Sequence, residues 1–432
     1  MRGRRARPAG LRQRGAPDAG RGVAALGRRR RLASAFAYRD FRWLWTSSLL
    51  SWSGQWIQQA ALGWVVYEIT GSGALLGAVM GARAVPMFLL APLSGVAAER
   101  WDRRRLLQGS QILAAAVSLS FGAALALGIV SLWMLFAFTV LMGAANVLDR
   151  PARLTTAFEL VARADAVKAV AMNTMGFSMM RILGPALAGF LIASLGAAGS
   201  FFIQAVLYAA AAAMVLMVVF PARRALGAER SAFAQMLEGL RFAANDPRTR
   251  LLVFLGALPY FLLVPVWGTL LPIYAKDVFV AGPQGLGWLL TGVGVGGTLG
   301  GLAANALARA ERQALIQAGW IVLMGLAILG LAASPTLAAA LACGVIGGAA
   351  EMAHTASNMA MLQMNAPEEM RGRISSLTML YPAMISVGAF VAGPLSDLLG
   401  VRGASVALAA GAIAAIAILY IVSPQLREMR FR

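Results

Sequence analysis

A charged stretch of eleven residues decides the fold expected of this chain: Gly95-Val-Ala-Ala-Glu99-Arg100-Trp-Asp102-Arg103-Arg104-Arg105. It contains a glycine, a carboxylate four residues later and a cluster of arginines. Long apolar runs lie on both sides of it, and each run is near the roughly 20 residues that a helix needs to cross a bilayer. The stretch is therefore expected to be a short charged loop at one face of a membrane.

The composition of the whole chain favours a membrane protein. Of its 432 residues, 59% are apolar and only 13% are charged, whereas soluble domains carry about 25% charged residues. A soluble fold cannot bury this much apolar surface. Because an open strand leaves backbone groups unpaired in lipid, the apolar runs are predicted to be helices.

Twelve apolar segments of crossing length follow one another along the chain. Interior glycine and proline do not count against them, since both are tolerated in transmembrane helices. The predicted fold class is therefore an all-α integral membrane protein with twelve helices in two six-helix bundles. The segments lie near 43–68, 73–98, 106–128, 131–149, 169–193, 200–220, 251–275, 285–308, 314–333, 336–358, 374–398 and 403–422.

The net charge of +20 is explained by topology. Of the 38 lysines and arginines, 34 fall in the two tails or in alternate connections, which all lie on one side of the predicted membrane. Arg83 and Arg181 fall inside apolar segments, and only Lys276 and Arg402 belong to the opposite side. The positive-inside rule places both termini in the cytoplasm of a multi-pass cell-membrane protein. No nucleic-acid partner is predicted.

Several kinds of chemistry are excluded by residue counts. Cys343 and His354 are the only residues of their types, so a disulfide within the chain and a Cys/His metal centre are not expected. Neither Lys168 nor Lys276 follows a glycine, so the chain lacks a phosphate-binding loop for ATP. No cofactor and no enzymatic activity are predicted.

Polar stretches divide the chain into five parts. An Arg-rich tail over 1–40 is expected to be disordered and cytoplasmic. The two six-helix bundles are predicted over 41–220 and 251–422. A cytoplasmic central loop over 221–250 separates them, and a short tail over 423–432 follows. Within the central loop, 233–243 is expected either to form a surface helix with one apolar face or to be a plain linker.

The two halves share a glycine pattern. Gly184, Gly189 and Gly196 in the fifth segment match three glycines of the eleventh segment, each at an offset of 204 residues: Gly388, Gly393 and Gly400. Gly77 of the second segment likewise matches Gly287 of the eighth. Weak internal symmetry of this kind is typical of transporters built from repeats.

These features together resemble the major facilitator superfamily of transporters, over roughly 40–425. A second motif, Gly176-x7-Gly184-Pro185-x2-Ala188-Gly189, is similar to the fifth-helix signature of the proton antiporters of that superfamily, with Ala188 at a usual glycine position. Other short matches resemble the branch that contains enterobactin exporters and macrolide efflux pumps. They are Pro151-Ala-Arg153, Glu159-Leu-Val, Ala171-Met-Asn173, Arg181-x-x-Gly-Pro and Met370-Arg371-Gly372-Arg373.

The resemblance implies proton-driven export of an amphipathic small molecule, such as a drug, a macrolide or a siderophore, by alternating access. It also implies that Glu99 faces the start of the eleventh helix near Arg373 and closes the cytoplasmic side; the alternative is a solvated cluster that only sets topology. Asp149 is expected at the same gate. The other gate-loop residues are Gly95, Arg100, Asp102 and Arg103.

Four of the ionisable residues inside apolar segments are candidates for proton coupling, since a charge in the bilayer is costly unless paired or hydrated. Glu351 and His354 are three residues apart on the tenth segment, and Arg83 or Arg181 could supply a competing positive charge. The alternative is that Glu351 is a hydrogen-bond partner between helices.

A substrate cavity is predicted along the first segment, where indole and amide side chains recur at helical spacing. Such a face suits a bulky amphipathic ligand, but packing against neighbouring helices is an equal alternative. The candidates are Trp52, Gln55, Trp56, Gln58, Gln59, Asn146, Asn173 and Tyr381.

Other functions remain open from the sequence. An importer or uniporter of a metabolite is the main alternative, and a non-transporting receptor or scaffold is less favoured because it would not need charges within several helices. The predicted protein is a monomer whose partners are a small-molecule substrate and the lipid bilayer.

Overall fold

The computed structural model describes residues 33–90, 102–220, 232–307, 313–378 and 381–423, and every regular element in these ranges is helical. The predicted all-α membrane fold is confirmed. Residues 1–32, 91–101 and 424–432 lie outside the described residues, and with them most of both tails and part of the 95–105 loop. Within the predicted tail over 1–40, Ala33–Ala37 form a 3-10 helix and a long helix begins at Arg39. We call the two ends of the bundle cytoplasmic and outer, following the sides predicted from the arginine distribution.

The N-terminal half contains five helical elements. Side chains begin two of them: the hydroxyl of Ser72 accepts from the Leu75 amide, and the carboxylate of Asp102 accepts from the Arg105 amide. The elements are α1 (Arg39–Thr70), α2 (Gly73–Leu90), α3 (Arg103–Ala126), α4 (Leu132–Glu159) and α5 (Ala166–Leu216).

The C-terminal half follows the amphipathic helix α6 (Ala232–Asn245), which confirms a helix in the central loop. α7 (Pro247–Leu262) continues through π-helical turns to Val278. Then come α8 (Gly282–Leu307), α9 (Gln313–Ala333), α10 (Leu337–Asn365), α11 (Arg371–Thr378) and α12 (Tyr381–Val422).

Two helical elements are too long for one crossing. α5 has 51 residues and α12 has 42, or about 75 and 60 Å of helix, against a hydrocarbon core of about 30 Å. Both break at a glycine with left-handed backbone, Gly196 (φ 71°) and Gly400 (φ 71°), a conformation that other residues rarely adopt. Each element therefore holds two crossings, and the breaks fall at positions that match between the halves.

Nine helices among the described residues are long and apolar enough to cross a membrane. α1 has 32 residues but is not among these nine, because Trp, Gln and Ser recur along it. With α1, and with two crossings each in α5 and α12, the total would be twelve; that number stays a prediction.

Two helix boundaries differ from those expected. α4 continues ten residues past the predicted end at 149, across Pro151, so Arg150 and Arg153 lie in a helix and not in a loop. α7 begins before 251 because Asp246 caps its first turn, accepting from the Thr249 amide, with proline at the first helical position. Burial would raise the pKa of Asp246, but hydrogen bonds from Thr249 lower it below its ordinary value.

Glycines let the two halves approach closely near the outer end. A Cβ atom added to Gly77 of α2 would lie 2.8 Å from the Gly393 Cα atom in α12, and one added to Gly189 of α5 would lie 2.9 Å from the Gly287 Cα atom in α8. In the glycine pattern Gly77 corresponds to Gly287, and Gly189 corresponds to Gly393. The second contact is therefore the equivalent of the first with the two halves exchanged. The bundles therefore meet through two equivalent helix crossings in which no side chain separates the backbones.

Candidate functional site

The predicted cytoplasmic gate loop is only partly described. Gly95, Glu99 and Arg100 lie outside the described residues. Asp102 caps α3, and Arg103 forms an ion pair with Glu159 at the cytoplasmic end of α4. These two described members of the motif thus bind groups of their own half.

Asp149 belongs to a buried polar network inside the N-terminal half. Its carboxylate forms two hydrogen bonds with Arg153, one turn along α4, at 2.8 and 2.9 Å. Gln111 of α3 donates to the same carboxylate at 2.8 Å. Arg153 also donates to the hydroxyls of Ser47 and Ser48 on α1 at 3.1 and 3.2 Å.

This network joins three helices of one bundle. Both charged side chains are nearly excluded from solvent, with Arg153 4% and Asp149 7% exposed. In this structure Asp149 faces its own bundle and not the opposite half, because the extension of α4 places Arg153 one turn below it. The pair therefore holds α1, α3 and α4 together, whereas the sequence suggested a gate.

Arg373 lies where the central loop meets the C-terminal half. Its guanidinium pairs with Glu238 of α6 at 3.0 Å. A Cβ atom added to Gly239 would lie 2.5 Å from the Arg373 carbonyl oxygen. The amphipathic helix α6 is thereby fastened to the start of α11, at the place where the resemblance implied the partner of Glu99.

One ion pair crosses between the halves in the middle of the bundle. Arg181 of α5 donates to the Glu351 carboxylate of α10 at 3.2 Å, and the two side chains are 12% and 14% exposed. The backbone of α8 passes close by: a Cβ atom added to Gly297 would lie 3.0 Å from the Arg181 guanidinium carbon. Glycines of α8 thus make room for Arg181 to reach Glu351.

His354 does not join Glu351 in this arrangement. Its Nε2 atom lies 3.1 Å from the Leu255 carbonyl oxygen and 3.2 Å from the Gln317 amide, inside the C-terminal half. Residues three apart on a helix point about 60° away from each other, which is enough here for Glu351 to face Arg181 and His354 to face its own bundle. The two candidates therefore do not interact in this structure, and their part in proton coupling stays a prediction.

The antiporter-like motif forms a packing strip on α5. A Cβ atom added to Gly176 would lie 3.0 Å from the Trp52 ring, and one added to Gly184 would lie 2.5 Å from the Trp56 Cβ atom. The next residue, Pro185, lies within the helix, and its carbonyl oxygen approaches Gly287 of α8. The small residues of α5 thus allow close packing of α1 on one side and of the opposite half on the other side.

The indole and amide stripe of α1 is half-buried. Trp52 and Trp56 both contact Phe177 of α5, with ring centroids 5.7 and 6.2 Å apart. Gln55 and Gln59 are half-buried too. Gln58 is different, being 1% exposed with no hydrogen-bond partner for either amide atom among the described side chains. Four stripe residues thus share a partly open face, while Gln58 points into the bundle.

The remaining cavity candidates lie in different parts of the bundle. Tyr381 is buried in the C-terminal half, where it stacks on Tyr260 at 5.4 Å and donates to Asn358 at 3.0 Å. In this structure it packs between helices, and its cavity role stays a prediction. Asn146 is half-buried and donates to the Met142 carbonyl one turn earlier. Asn173 is also half-buried.

Arg83 lies at an irregular turn in α2. The helix is interrupted at 82–83, since Pro86 cannot donate the backbone hydrogen bond that the turn needs. In the part of the chain that the structure describes, no hydrogen bond or ion pair is recorded for the Arg83 guanidinium. It differs in this from Arg153 and Arg181, which both have carboxylate partners.

A carboxylate that was not among the predicted site residues joins the two halves at the outer end, and we call this contact region the outer closure. Asp397 in α12 accepts from the Gly73 amide at 2.6 Å, the Ala74 amide at 2.9 Å and the Ser72 hydroxyl at 2.8 Å. A carboxylate is thus bound at the positive first turn of α2. The signal was present in the sequence as an acidic residue near the end of an apolar segment, but nothing indicated its distant partner.

A second polar contact supports the same closure. The Tyr67 hydroxyl of α1 donates to Asp277, and the Lys276 ammonium lies 5.3 Å from the centre of the Tyr67 ring. These groups lie at the outer ends of α1 and α7. The halves are therefore joined at the outer end by two carboxylates in addition to the glycine crossings.

Asp149→Asn should destabilise the fold, because it leaves Arg153 buried beside a neutral group. Removing one partner of a buried pair costs about 3–5 kcal/mol, so we expect a clear fall in the melting temperature of the purified protein. Glu159→Gln is the matched control: it breaks the more exposed Arg103 pair and should cost about 0–1 kcal/mol. Equal melting temperatures for the two variants would contradict this role.

Asp397→Asn should loosen the outer end, since the charge that binds the α2 amides is lost. Hydrogen bonds to a charged group contribute about 1.5–3 kcal/mol, so we expect about a tenfold larger open population. Spin labels at Ile129→Cys and Ala333→Cys in a Cys343→Ser background measure this as a longer interlabel distance. Glu68→Gln, at the same end, is the control; an unchanged distance distribution in Asp397→Asn would refute the closure.

Comparisons with known proteins agree with this architecture. Residues 32–430 match the transmembrane secretion effector family of the major facilitator superfamily. The chain is 24% identical to the staphyloferrin A transporter of Staphylococcus aureus, over 83% of this chain and 90% of that one. It is 26% identical to the multidrug efflux pump Tap of Mycolicibacterium fortuitum, covering 89% and 95%. It is 22% identical to macrolide efflux protein A of Streptococcus pyogenes, covering 90% and 96%.

A solved structure shares the fold. A bacterial homologue of the human lysosomal transporter Spinster superposes with a TM-score of 0.71 at 14% identity, over 91% of this chain and 99% of that one. The family match covers nearly the whole chain, and the fold agrees with it. The chain therefore belongs to the transmembrane secretion effector family of the major facilitator superfamily, and it is a multi-pass membrane transporter and not an enzyme.

Proposed function

We propose that this transporter is a proton-coupled exporter of amphipathic small molecules, working by alternating access in the cell membrane with both termini in the cytoplasm. Relatives named for multidrug efflux, macrolide efflux and staphyloferrin A transport support export of drugs, macrolides or siderophores. No cofactor is required in this proposal; the proton gradient supplies the energy, and one chain forms the working unit.

The ion pair between Arg181 and Glu351 carries the proposal. It joins the two halves at mid-depth, and its strength depends on the protonation of one carboxyl. A proton on Glu351 removes the charge that Arg181 binds, so the halves are freer to separate at the outer end. Loss of that proton restores the pair and favours the outer-closed arrangement described above.

In this proposal the proton gradient sets the direction of coupling, because the ion pair alone does not determine it. In the outward-open state the pair is broken, and Glu351 takes up a proton from the more acidic outer side. After the return to the outer-closed state, the proton is released to the cytoplasm and Arg181 binds Glu351 again. One proton enters for each outward passage of substrate, which is the exchange that an exporter requires.

In this cycle two contacts between a carboxylate and the start of a helix would form in turn, one at the outer end and one at the cytoplasmic end. Asp397 binds the first turn of α2 when the outer end is closed. Glu99, with Arg373 near its implied partner, is proposed to act in the same way at the cytoplasmic end. The half-buried stripe of Trp52, Gln55 and Gln59 supplies aromatic surface and amides for an amphipathic substrate.

Glu351→Gln should abolish gradient-driven transport, because glutamine cannot cycle between charged and neutral forms. Transport is measured in proteoliposomes with an acidic lumen, with a macrolide, a cationic dye and a carboxylate siderophore as test compounds. The transporter molecules whose cytoplasmic face points out of the vesicle would accumulate the compound in the lumen. We expect wild-type accumulation of at least one compound, and its loss in Glu351→Gln with exchange at equal pH retained.

Glu159→Gln serves as the control, since it changes the same functional group at the helix end, away from Arg181. Accumulation by Glu351→Gln with normal pH dependence would remove this residue from coupling. Accumulation only when the lumen is alkaline would favour an importer over the proposed exporter.

A further inference from the structure

The Arg-rich tail is the largest charged feature of the chain that the proposed function does not use. Residues 1–32 contain eleven arginines against one aspartate, which is half of the net charge of +20. The positive-inside rule counts charges within about 15–20 residues of a membrane-spanning helix. Six of these arginines lie between Arg2 and Arg14, at least 25 residues before α1 begins at Arg39. Topology therefore does not account for them.

The end of this tail is fastened to the cytoplasmic end of the N-terminal half by residues 33–38, which we call the strap. The Ser34 and Tyr38 hydroxyls both donate to the Asp165 carboxylate, just before α5, at 2.9 and 3.0 Å. Lys168, in the first turn of α5, pairs with the same carboxylate at 2.5 Å and donates to the Ser34 hydroxyl at 3.0 Å. Polar contacts thus join the strap to the start of α5.

Apolar packing fixes the strap as well. Ala35 is 0% exposed and belongs to a buried cluster with Phe41 of α1. The Phe36 ring meets the Trp45 ring edge to face, with 4.9 Å between the centroids. Trp45 in turn donates from its indole nitrogen to the Met172 carbonyl of α5 at 3.0 Å. The strap is therefore part of the folded bundle, and the tail begins at the edge of that bundle.

The strap lies at the level of the lipid headgroups. α1 has 32 residues, or about 48 Å of helix, whereas a bilayer is about 30 Å thick in its hydrocarbon core and about 40–45 Å with the headgroups. The start of α1 therefore reaches the headgroup region, and Trp43 and Trp45 near this end fit the aromatic belt found there. Since a residue spans at most about 3.6 Å of chain, Arg28–Arg31 lie within about 22 Å of Ser34. These four arginines are thus confined to the vicinity of the membrane surface.

The described surface beside the strap offers the tail no free acidic group. Within 33–42 and 163–168 the acidic residues are Asp40 and Asp165. Asp40 accepts from the Val219 amide at 3.1 Å, and Asp165 is bound as described above. Three exposed arginines lie in the same ranges and repel the tail: Arg39, Arg42 and Arg163. A counter-charge for the tail is therefore available in the membrane and not on this part of the protein.

We propose that the Arg-rich tail binds anionic phospholipids of the cytoplasmic leaflet, beside the place where the strap holds its end. A guanidinium forms paired hydrogen bonds with phosphate oxygens. Each basic residue near an anionic membrane strengthens binding about fivefold, which corresponds to about 1 kcal/mol. Residues 1–32 include no aromatic side chain on which a nucleotide base stacks, so lipid phosphate is favoured over a nucleic acid. The inference does not rest on the proposed export.

Quenching of a fluorophore on the tail tests this binding. Full-length protein with Ala25→Cys in a Cys343→Ser background is labelled with bimane and placed in nanodiscs that contain a lipid with a nitroxide headgroup. Discs of phosphatidylcholine are compared with discs in which about a third of the lipid is phosphatidylglycerol. We expect several-fold stronger quenching in the phosphatidylglycerol discs at low salt. The difference should vanish in about 1 M salt, where the Debye length is about 3 Å.

Glutamine at all four positions of Arg28–Arg31 should remove most of this quenching, since four fivefold factors amount to about 600-fold in binding. These positions precede the strap, so the contacts of the strap are unchanged. Lysine at the same four positions keeps the charge and should retain most of the quenching. A control removes the same charge from exposed positions on the cytoplasmic side and should leave the quenching unchanged: Arg163→Gln, Arg241→Gln, Arg248→Gln and Arg250→Gln together.

Three results would overturn the proposal. The first is equal quenching in the two kinds of disc, and the second is a loss in the control variant as large as that in the tail variant. The third is release of the tail from phosphatidylglycerol discs by an equimolar single-stranded oligonucleotide at physiological salt, which would assign the tail to nucleic acid. The measurement includes no transport step, so its failure leaves the proposed exporter standing, and a failure of export leaves lipid binding standing.

Discussion

A charged side chain inside a bilayer is stable only when it is paired or hydrated, and this constraint organises the N-terminal half. Burial of Arg153 is possible because Asp149 binds its guanidinium twice, and the pair draws hydroxyls and an amide from two further helices. The polar network therefore stabilises the packing of α1, α3 and α4. Its cost is that Asp149 is no longer available to the other arginines of the same half.

The same constraint underlies the proposed proton coupling in the middle of the bundle. Arg181 is neutralised by a residue of the opposite half, Glu351, so the contact between the halves depends on the charge of one carboxyl. Arg83, in contrast, has no ion-pair partner among the described residues. The structural role of Arg153 and the proposed coupling role of Arg181 thus follow from the carboxylate that each guanidinium binds.

Close backbone contact is the second requirement of the outer closure. Gly77 meets Gly393, and Gly189 meets Gly287, so no side chain keeps the halves apart there. The close approach of α2 and α12 also brings the Asp397 carboxylate to the amides of Gly73 and Ala74. Small residues therefore set the distance at which a polar contact between the halves can form.

The sequence by itself determined the membrane class, the all-α fold and the depth of each buried charge, because apolar length, arginine distribution and helical rise are local quantities. It also indicated the matched glycines, since a constant offset needs no structure. It did not predict that α4 continues past Arg150, because buried partners on other helices stabilise that extension. Only the tertiary structure decided which charges pair: Glu351 with Arg181 and not His354, Asp149 with Arg153, and Asp397 with the start of α2. Pairing depends on which helix faces face each other, and residues up to 325 positions apart in the chain form these contacts.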